Sequence, residues 1–558
     1  MLLGMRTVID AITEQAGGAA TLTVAGLGAR PEAAVTWSGL HERAKRMASV
    51  LAAQGIGPSS RVGLLGDTSV ELVTAIQAVW LRGAAFTVLP VPTRSGRQAN
   101  LAHLLAIVAD AGFGLVIVDD GCAEAGEGLS EAVPVRRLGE LCERAAAAAP
   151  ATPIRPAPGD LAVLQYTSGS TQNPRGVPVT HANLAANLDA IEATLGPDAL
   201  DPATGRWLSW LPLYHDMGLI GFLCLPMSRG CPLVLQSPMA FALRPMSWLD
   251  LLTRHRATST GAPNFAYGLL AQLLEAGVSA DLSAVRYMFS GGEPIDAAMM
   301  GRFTAAAAAY GLDPGAVVAA YGLAESTLAV SFSPIGRGIA VDEVDRDRLE
   351  RDGHALETGE PGGSARLVRL GAAVPGTQIR IVDATGSVAA ARTVGHIEVS
   401  GPSVVSGYWG EPARPGGWLR TGDLGYLTED GLVVCGRAKD VLFSAGRNIY
   451  PQDVEAAALQ VQGVRPGGAA AFGISDGRGD RLVVAVETRA TDSDALRKAV
   501  AVAVVSQTGM APADVVTLRF GRLPKTSSGK LRRAETRRRY LAGELTERRL
   551  ALVDRSVQ

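Results

Sequence analysis

The sequence predicts an α/β fold: a large N-terminal domain of α/β subdomains, then a small C-terminal α+β domain. Strand-like apolar runs alternate with helix-like stretches from about residue 36. Several of these runs end in turns rich in Gly, Pro and hydroxyls, as at the strand–helix junctions of open sheets. The length of 558 residues, 47% of them hydrophobic, suits two or more domains with a large core.

In the first third, Arg61–Leu65 reads as a strand, Val70–Arg82 as a helix and Ala84–Leu89 as a strand. A helix over Gln98–Ala111 and a strand over Leu115–Val118 follow, with parallel pairing expected. Residues 121 to 160, with an Ala run at 145–149 and Pro153, Pro156 and Pro158, read as a surface segment and linker. Leu161–Leu164 is a buried strand by its apolarity, and it leads into Tyr166-Thr-Ser-Gly-Ser-Thr-Gln-Asn-Pro-Arg-Gly-Val177. Here Thr167, Ser168, Ser170 and Thr171 supply hydroxyls, Gly169 and Gly176 free the backbone, and Arg175 adds a permanent cation. Such a loop can wrap a polyanion; a polar hairpin turn is the plainer alternative. No Gly-Lys-Ser/Thr opens a helix here, which excludes a kinase-type P-loop.

The middle third continues with a helix over Asn183–Leu195, then Trp210-Leu-Pro-Leu-Tyr-His-Asp-Met-Gly-Leu219. His215 beside an acid in an apolar frame is either a functional group or a buried, satisfied pair. Three junctions follow: Ala262-Pro-Asn264, Ser290-Gly291-Gly292-Glu293, and Ala320-Tyr321-Gly322 running on to Glu325. Paired glycines let a flat ring lie against the backbone, Tyr321 can stack on its other face, and Glu325 suits Mg²⁺ beside phosphate oxygens. A helix start accounts for Glu325 equally well.

In the last third, Val394–Pro402 alternates as a half-buried strand. Asp423 lies in Trp418-Leu-Arg-Thr-Gly-Asp-Leu-Gly425, and Arg437 and Asp440 in Gly436-Arg-Ala-Lys-Asp440. A salt-bridged domain boundary would give the latter motif too. Leu523-Pro-Lys-Thr-Ser-Ser-Gly-Lys-Leu-Arg532 places Lys530 after a glycine, where it is either a swinging catalytic cation or part of a solvated basic loop. The tail carries Arg532, Arg533, Arg537, Arg538, Arg539, Arg548 and Arg549, a basic surface able to steer an acidic protein. Gly473-Ile-Ser-Asp-Gly477 matches the hydrolase elbow G-x-S-x-G, but a second strand follows it, so the stretch reads as a hairpin.

Taken together and in this order, the motifs resemble the adenylate-forming superfamily of acyl- and aryl-CoA ligases, nonribosomal adenylation domains and luciferases. Arg175 stands where most members carry Lys. Trp210–Gly218, Ser237–Trp248, Ala262–Ala266 and Tyr321–Ser331 are most similar to the fatty acyl-AMP ligase branch. So is the charged and Gly-rich stretch at about 341–372, which matches that branch's insertion; a solvated surface excursion is the alternative. The resemblance implies a large domain over 1–438 and a small mobile domain over 439–558, hinged at Asp440. It implies ATP and Mg²⁺, with the metal at Glu325. Nucleotide contacts would come from Thr167, Ser168, Gly169, Ser170, Thr171, Arg175, Gly291, Gly292, Glu293, Ala320, Tyr321, Gly322, Asp423, Arg437 and Lys530. His215 and Asn264 would meet the acyl substrate. Lys530, His215, Glu325 and Arg437 would be the catalytic set. The implied reaction turns a carboxylic acid, fatty in that branch, into an acyl-adenylate, then passes the acyl group to the phosphopantetheine of an acyl carrier protein in polyketide, lipopeptide or lipid assembly. The insertion would brace the small domain and disfavour CoA. An acyl-CoA ligase and a non-catalytic docking relative are the rival readings.

A formal charge of 52 − 54 = −2 does not suggest a nucleic-acid partner. Five scattered cysteines without a C-x-x-C pair argue against a disulfide framework or zinc site and fit a reducing cytoplasm. Asp10 and Glu14 break up the first residues, against a signal peptide. No apolar run approaches the ~20 residues of a membrane span.

Overall fold

Strands that are apolar on both faces need cover on both faces, and this sets the N-terminal architecture. Ala85–Val88 and Leu115–Val118 are buried at every position. They pair in parallel with Arg61–Leu65 between them. The computed structural model of the chain describes residues 6–15, 17–26, 31–92, 97–167, 174–358, 363–444, 447–475, 480–489, 493–525 and 530–545. Its first sheet runs in the order Val135–Arg137, Leu115–Val118, Arg61–Leu65, Ala85–Val88, Leu161–Thr167, Arg175–Thr180. The last strand alone is antiparallel, closing a hairpin in which Thr167 faces Arg175.

Residues 121 to 160 depart from the expected linker. Ala123–Leu129 and Leu138–Ala147 are helices, and Val135–Arg137 is the sheet's edge strand. Leu138, Leu141 and Ala145 are buried on one helix face, so the Ala run ends an amphipathic helix.

The second sheet contains Val317–Gly322, Tyr287–Ser290, Ser259–Ala262, Trp207–Ser209, Leu233–Leu235 and Thr21–Val24 as parallel neighbours. Antiparallel strands close both its edges. Helices Trp37–Ala53, Val70–Leu81 and His181–Leu195 contribute Leu40, Trp80 and Leu184 to one core shared with Val62 of the first sheet and Leu22 of the second. The junction after Val317–Gly322 is not strand-to-helix. A 3-10 turn over Ala324–Ser326 reverses the chain into Ala329–Phe332.

A third, antiparallel sheet orders Gln378–Val382, Gly395–Ser400, Leu419–Thr428 and Gly431–Arg437. Gly395–Ser400 alternates buried and half-buried residues as its sequence requires. In the 341–372 stretch, Val341–Asp345 pairs antiparallel with Ser364–Val368, and helix Arg346–Asp352 lies between them. The stretch is not a solvated excursion, because Asp342 and Glu350 are fully buried.

The smaller C-terminal domain has its own sheet, with Asp480–Thr488 antiparallel to Val464–Ser475 and parallel to Asp514–Leu518. Helices Pro451–Leu459 and Ser493–Thr508 cover it, and Val454, Val484 and Val500 share a separate core. Ser475 pairs with Asp480 across the hairpin, so the strand-turn-helix of a nucleophile elbow is absent there; Gly477 itself lies outside the described residues. The tail helix Arg533–Leu541 differs from a freely solvated basic face. Arg533 is enclosed by Glu455 and Asp440, and Arg538 and Arg539 pair with Glu535. Arg548 and Arg549 lie outside the described residues. Among the described residues, no helix is long and apolar enough to cross a membrane.

Candidate active site

Parallel strands deliver their carboxyl ends to one edge of a sheet, and ligands gather there. The register puts Ala262, Ser290 and Ala319 side by side. Asn264, Gly291–Glu293 and Ala320–Gly322 therefore leave three adjacent strands at one rim. A cleft of about 2370 Å³ opens over it. Thr167, Arg175, His215, Glu325, Asp423, Arg437, Asp440 and Lys530 line the same cleft, so residues more than 300 positions apart are brought together. Ser168, Gly169, Ser170 and Thr171 lie outside the described residues.

The glycine pair is sterically required. A Cβ on Gly291 would sit 2.8 Å from the Ala320 carbonyl oxygen. Gly292 has φ +80°, the left-handed region, and a Cβ there would face Lys530 Nζ at 3.6 Å. Glu293 accepts the Phe265 N–H at 2.8 Å, which ties the glycine turn to the start of helix Asn264–Glu275. Asn264 accepts the Asp296 N–H at 3.3 Å. Burial pushes the Glu293 carboxyl upward, against the pull of Lys530 nearby.

Lys530 reaches across from the small domain. Its Nζ is 2.7 Å from His215 Nε2, and His215 Nδ1 is 2.6 Å from Asp216 Oδ1. Burial lowers the Lys530 ammonium's pKa, a trend that Asp216 and Glu293 oppose. Burial would raise the Asp216 carboxyl, but His215 and Lys530 prevail and hold it down at about 2.

Asp423 is buried, and the Tyr321 hydroxyl donates to its Oδ2 at 2.7 Å. Arg437 Nε stands 3.3 Å from the other oxygen, because the two residues face each other across paired strands. Burial raises the Asp423 carboxyl's pKa and Arg437 counters it. The Tyr321 ring is thereby pinned by its own hydroxyl. Asp440, beside this strand end, takes the Arg533 guanidinium at 3.2 Å.

Glu325 accepts the Tyr408 hydroxyl at 2.6 Å. Tyr408 carries the Arg175 guanidinium on its ring face, 3.7 Å from the centroid, and Arg175 also meets Glu411 at 2.7 Å. A planar guanidinium can stack and bridge at once, which a lysine ammonium cannot. Two residues from Glu325, Thr327 holds φ +67°, a costly conformation for a β-branched residue. Its hydroxyl donates to the Ser403 carbonyl at 2.7 Å, and Val405 N–H donates to the Glu325 carbonyl at 2.9 Å. The strain is thus over-determined by the segment that also carries Tyr408.

Sequence reasoning noted Asp216 only as the acid of a possible buried pair with His215 and missed Tyr408 and Glu411. Asp216 had a signal in its adjacency to His215. Tyr408 and Glu411 had none, since their partners lie more than 80 residues away.

Two glycine turns, a carboxylate–tyrosine–arginine cluster and a lysine from the small domain thus share one cleft, and the comparisons with known proteins give the class: an adenylate-forming ligase. Residues 14–409 match the model of the AMP-binding enzyme family, and the chain belongs to that family. It is 41% identical over 517 residues to Mycobacterium tuberculosis Rv1013, named provisionally as a ligase, covering 90% of this chain and 94% of that one. It is 33% identical to the long-chain-fatty-acid–AMP ligase FadD26 of Mycobacterium marinum, covering 91% of each. A solved structure from work on fatty acyl-adenylate ligases of E. coli and L. pneumophila superposes with a TM-score of 0.89 at 34% identity, covering 97% of this chain and 99% of that one. Within the family, the chain is a ligase of the fatty acyl-AMP ligase branch.

Proposed function

We propose that this ligase converts a fatty acid and ATP to acyl-adenylate and pyrophosphate, then passes the acyl group to the phosphopantetheine thiol of a carrier protein. The observation that carries the reading is Lys530, held 2.7 Å from His215 in a cleft shared with Glu325, Asp423 and Arg437. An acid carboxylate oxygen attacks the α-phosphorus, the bond to the β-phosphate bridging oxygen breaks, and pyrophosphate leaves with that electron pair. The side chains contribute position and charge. The loop from Thr167 to Arg175 receives the β- and γ-phosphates. Gly291–Glu293 and Ala320–Gly322 form the adenine slot, and Asp423 with Arg437 takes the ribose and phosphate. Both Asp423 oxygens keep lone pairs beyond those used by Tyr321 and Arg437. His215 and Asn264 face the acid, and Lys530 offsets the charge that crowds the reacting phosphorus.

Glu325 fits a magnesium ion as its one protein carboxylate, since Mg²⁺ characteristically takes one or two carboxylates and fills its shell with phosphate oxygens and water. Bound there, the metal would neutralise charge on the leaving phosphates.

We divide the chain after residue 438, with Asp440 as the hinge about which the small domain turns to admit the thiol. In that second step the sulfur attacks the acyl carbon, AMP leaves, and the thiol proton passes to solvent. Preference for a carrier over CoA is supported by the 341–372 insertion, whose Arg346 and Glu350 bind Asp453 and Arg447 beyond the hinge. The relatives include proteins named for fatty-acid–AMP ligation and for 4-hydroxyphenylalkanoate adenylyl transfer.

The test is an endpoint assay by mass spectrometry with ATP, Mg²⁺ and acids of graded length, then with CoA, then with a phosphopantetheinylated carrier. Acyl-adenylate that persists with CoA and moves to the carrier is expected. Rapid acyl-CoA formation would replace the carrier reading with a CoA ligase.

A further inference from the structure

A lysine ammonium has only protons to give, so whatever it docks on must present a lone pair. Lys530 Nζ stands 2.7 Å from His215 Nε2. With the ammonium donating, Nε2 is the acceptor and the imidazole proton is left on Nδ1; the Met217 N–H also lies 3.3 Å from Nδ1, but its shorter contact, 2.7 Å, is to the Asp216 oxygen. Nδ1 faces Asp216 Oδ1 at 2.6 Å, a distance that suits N–H donation to a carboxylate. The same Asp216 oxygen accepts the Met217 N–H at 2.7 Å, which caps the π-helix Met217–Cys224. The turn holding the pair is fixed by its backbone: His215 N–H donates to the Pro212 carbonyl at 3.1 Å, and Leu219 N–H to the His215 carbonyl at 2.9 Å.

We propose that Asp216 is a positioning residue that fixes the His215 tautomer, so that Nε2 docks Lys530 in the cleft before ATP and acid arrive. Asp216 lies one residue from the cation's partner and adds its negative charge to that of Glu293 near Lys530. The small domain is thereby held ready for adenylate formation, and the incoming carboxylate takes over a lysine already in place. The proposal rests on the reading above that Lys530 serves adenylate formation.

Asp216→Asn tests it. The asparagine oxygen can still cap Met217, so a merely structural role predicts little change. The same oxygen also faces Nδ1, so the variant keeps both acceptor contacts and removes only the negative charge that holds the imidazole proton on Nδ1; a larger share of the rings then carries the proton on Nε2, where it opposes Lys530. The first readout is the rate of reductive methylation of Lys530 in the ligand-free full-length chain, by peptide mass spectrometry, with exposed Lys498 as internal reference. The second is kcat and KM for adenylate formation. Asp216→Asn should speed methylation of Lys530 about ten-fold, the scale of one hydrogen bond to a charged group, and leave Lys498 unchanged. It should lower kcat about as much while leaving the KM for ATP near its original value. In a His215→Gln background, where the amide oxygen can receive Lys530 without help, adding Asp216→Asn should have no further effect on methylation. Unchanged methylation in Asp216→Asn overturns the proposal, whatever the turnover does. Faster methylation with undiminished adenylate formation upholds the docking and instead removes Lys530 from the adenylating step.

Discussion

Among the described residues, two contacts between the small domain and the large one differ in character. At the insertion, the contact is a network: Arg447 binds Glu350 at 2.8 Å, and Arg346 reaches both Asp453 at 3.2 Å and Glu350 at 3.5 Å. At the cleft, Lys530 docks on the His215 imidazole. Burial raises the carboxyl pKa of both Glu350 and Asp453 even with arginines beside them, so the desolvation there is severe. Separating such partners would strand charges in a poorly hydrated place. A lysine on a histidine ring can instead pass to a phosphate or carboxylate that offers itself. The difference teaches that one contact suits a fixed brace and the other a contact remade in each catalytic cycle.

The comparison breaks most sharply at Lys530. Lys530→Ala should lower adenylate formation by about 10³-fold, or ~4 kcal/mol, the scale of one transition-state charge contact. Thiolation from supplied acyl-adenylate should proceed near the original rate, measured in parallel with a carrier protein. Equal losses in both half-reactions would erase the distinction between brace and dock.

Next is the brace. Arg447→Met leaves the Glu350 carboxylate buried beside Arg346 alone and should cost about 3 kcal/mol of C-terminal domain docking. Limited proteolysis around residues 439–450 reads this out as faster cleavage. Adding Glu350→Leu should restore most of the resistance, because a packed apolar pair replaces a stranded charge. If the single variant behaves as the parent, the network is dispensable.

A smaller effect is expected at the phosphate loop. Arg175→Lys gives up the stacking on Tyr408 and should cost about 1 kcal/mol, a roughly five-fold rise in the KM for ATP. An unchanged KM would mean that the stacked geometry serves only Glu411.

The smallest effect is on pH. The working form of Lys530 is protonated, and burial lowers its pKa below the usual 10.5. Adenylate formation should therefore fall as pH rises, with its alkaline limb below that of an ordinary lysine. Glu293 raises the Lys530 pKa, so Glu293→Gln should move that limb to still lower pH. A shift upward would show that Glu293 does not act on Lys530 through its charge.

Much of the site was legible because its residues sit in short local patterns. Gly291-Gly292 follows an apolar run, and Lys530 sits in a turn motif; each reads within ten residues. Residues 121–160 misled for a related reason. Ala carries little amphipathic signal, and the helix face made by Leu138, Leu141 and Ala145 became plain only when packed. The partners of Arg533 were not legible either, because nothing near it in sequence announces Glu455 and Asp440.

By itself, the sequence determined the α/β alternation, the strand-end turns and the chemistry available at each, since periodicity and turn residues act over a few positions. The tertiary structure alone decided which charges meet. It set His215 before Lys530, over 315 residues of separation. It set Tyr408 between Arg175 and Glu325, and Arg447 against Glu350. Such pairings arise from chain crossings and shared burial, where a partner's identity depends on distance in space, and local sequence carries no record of that.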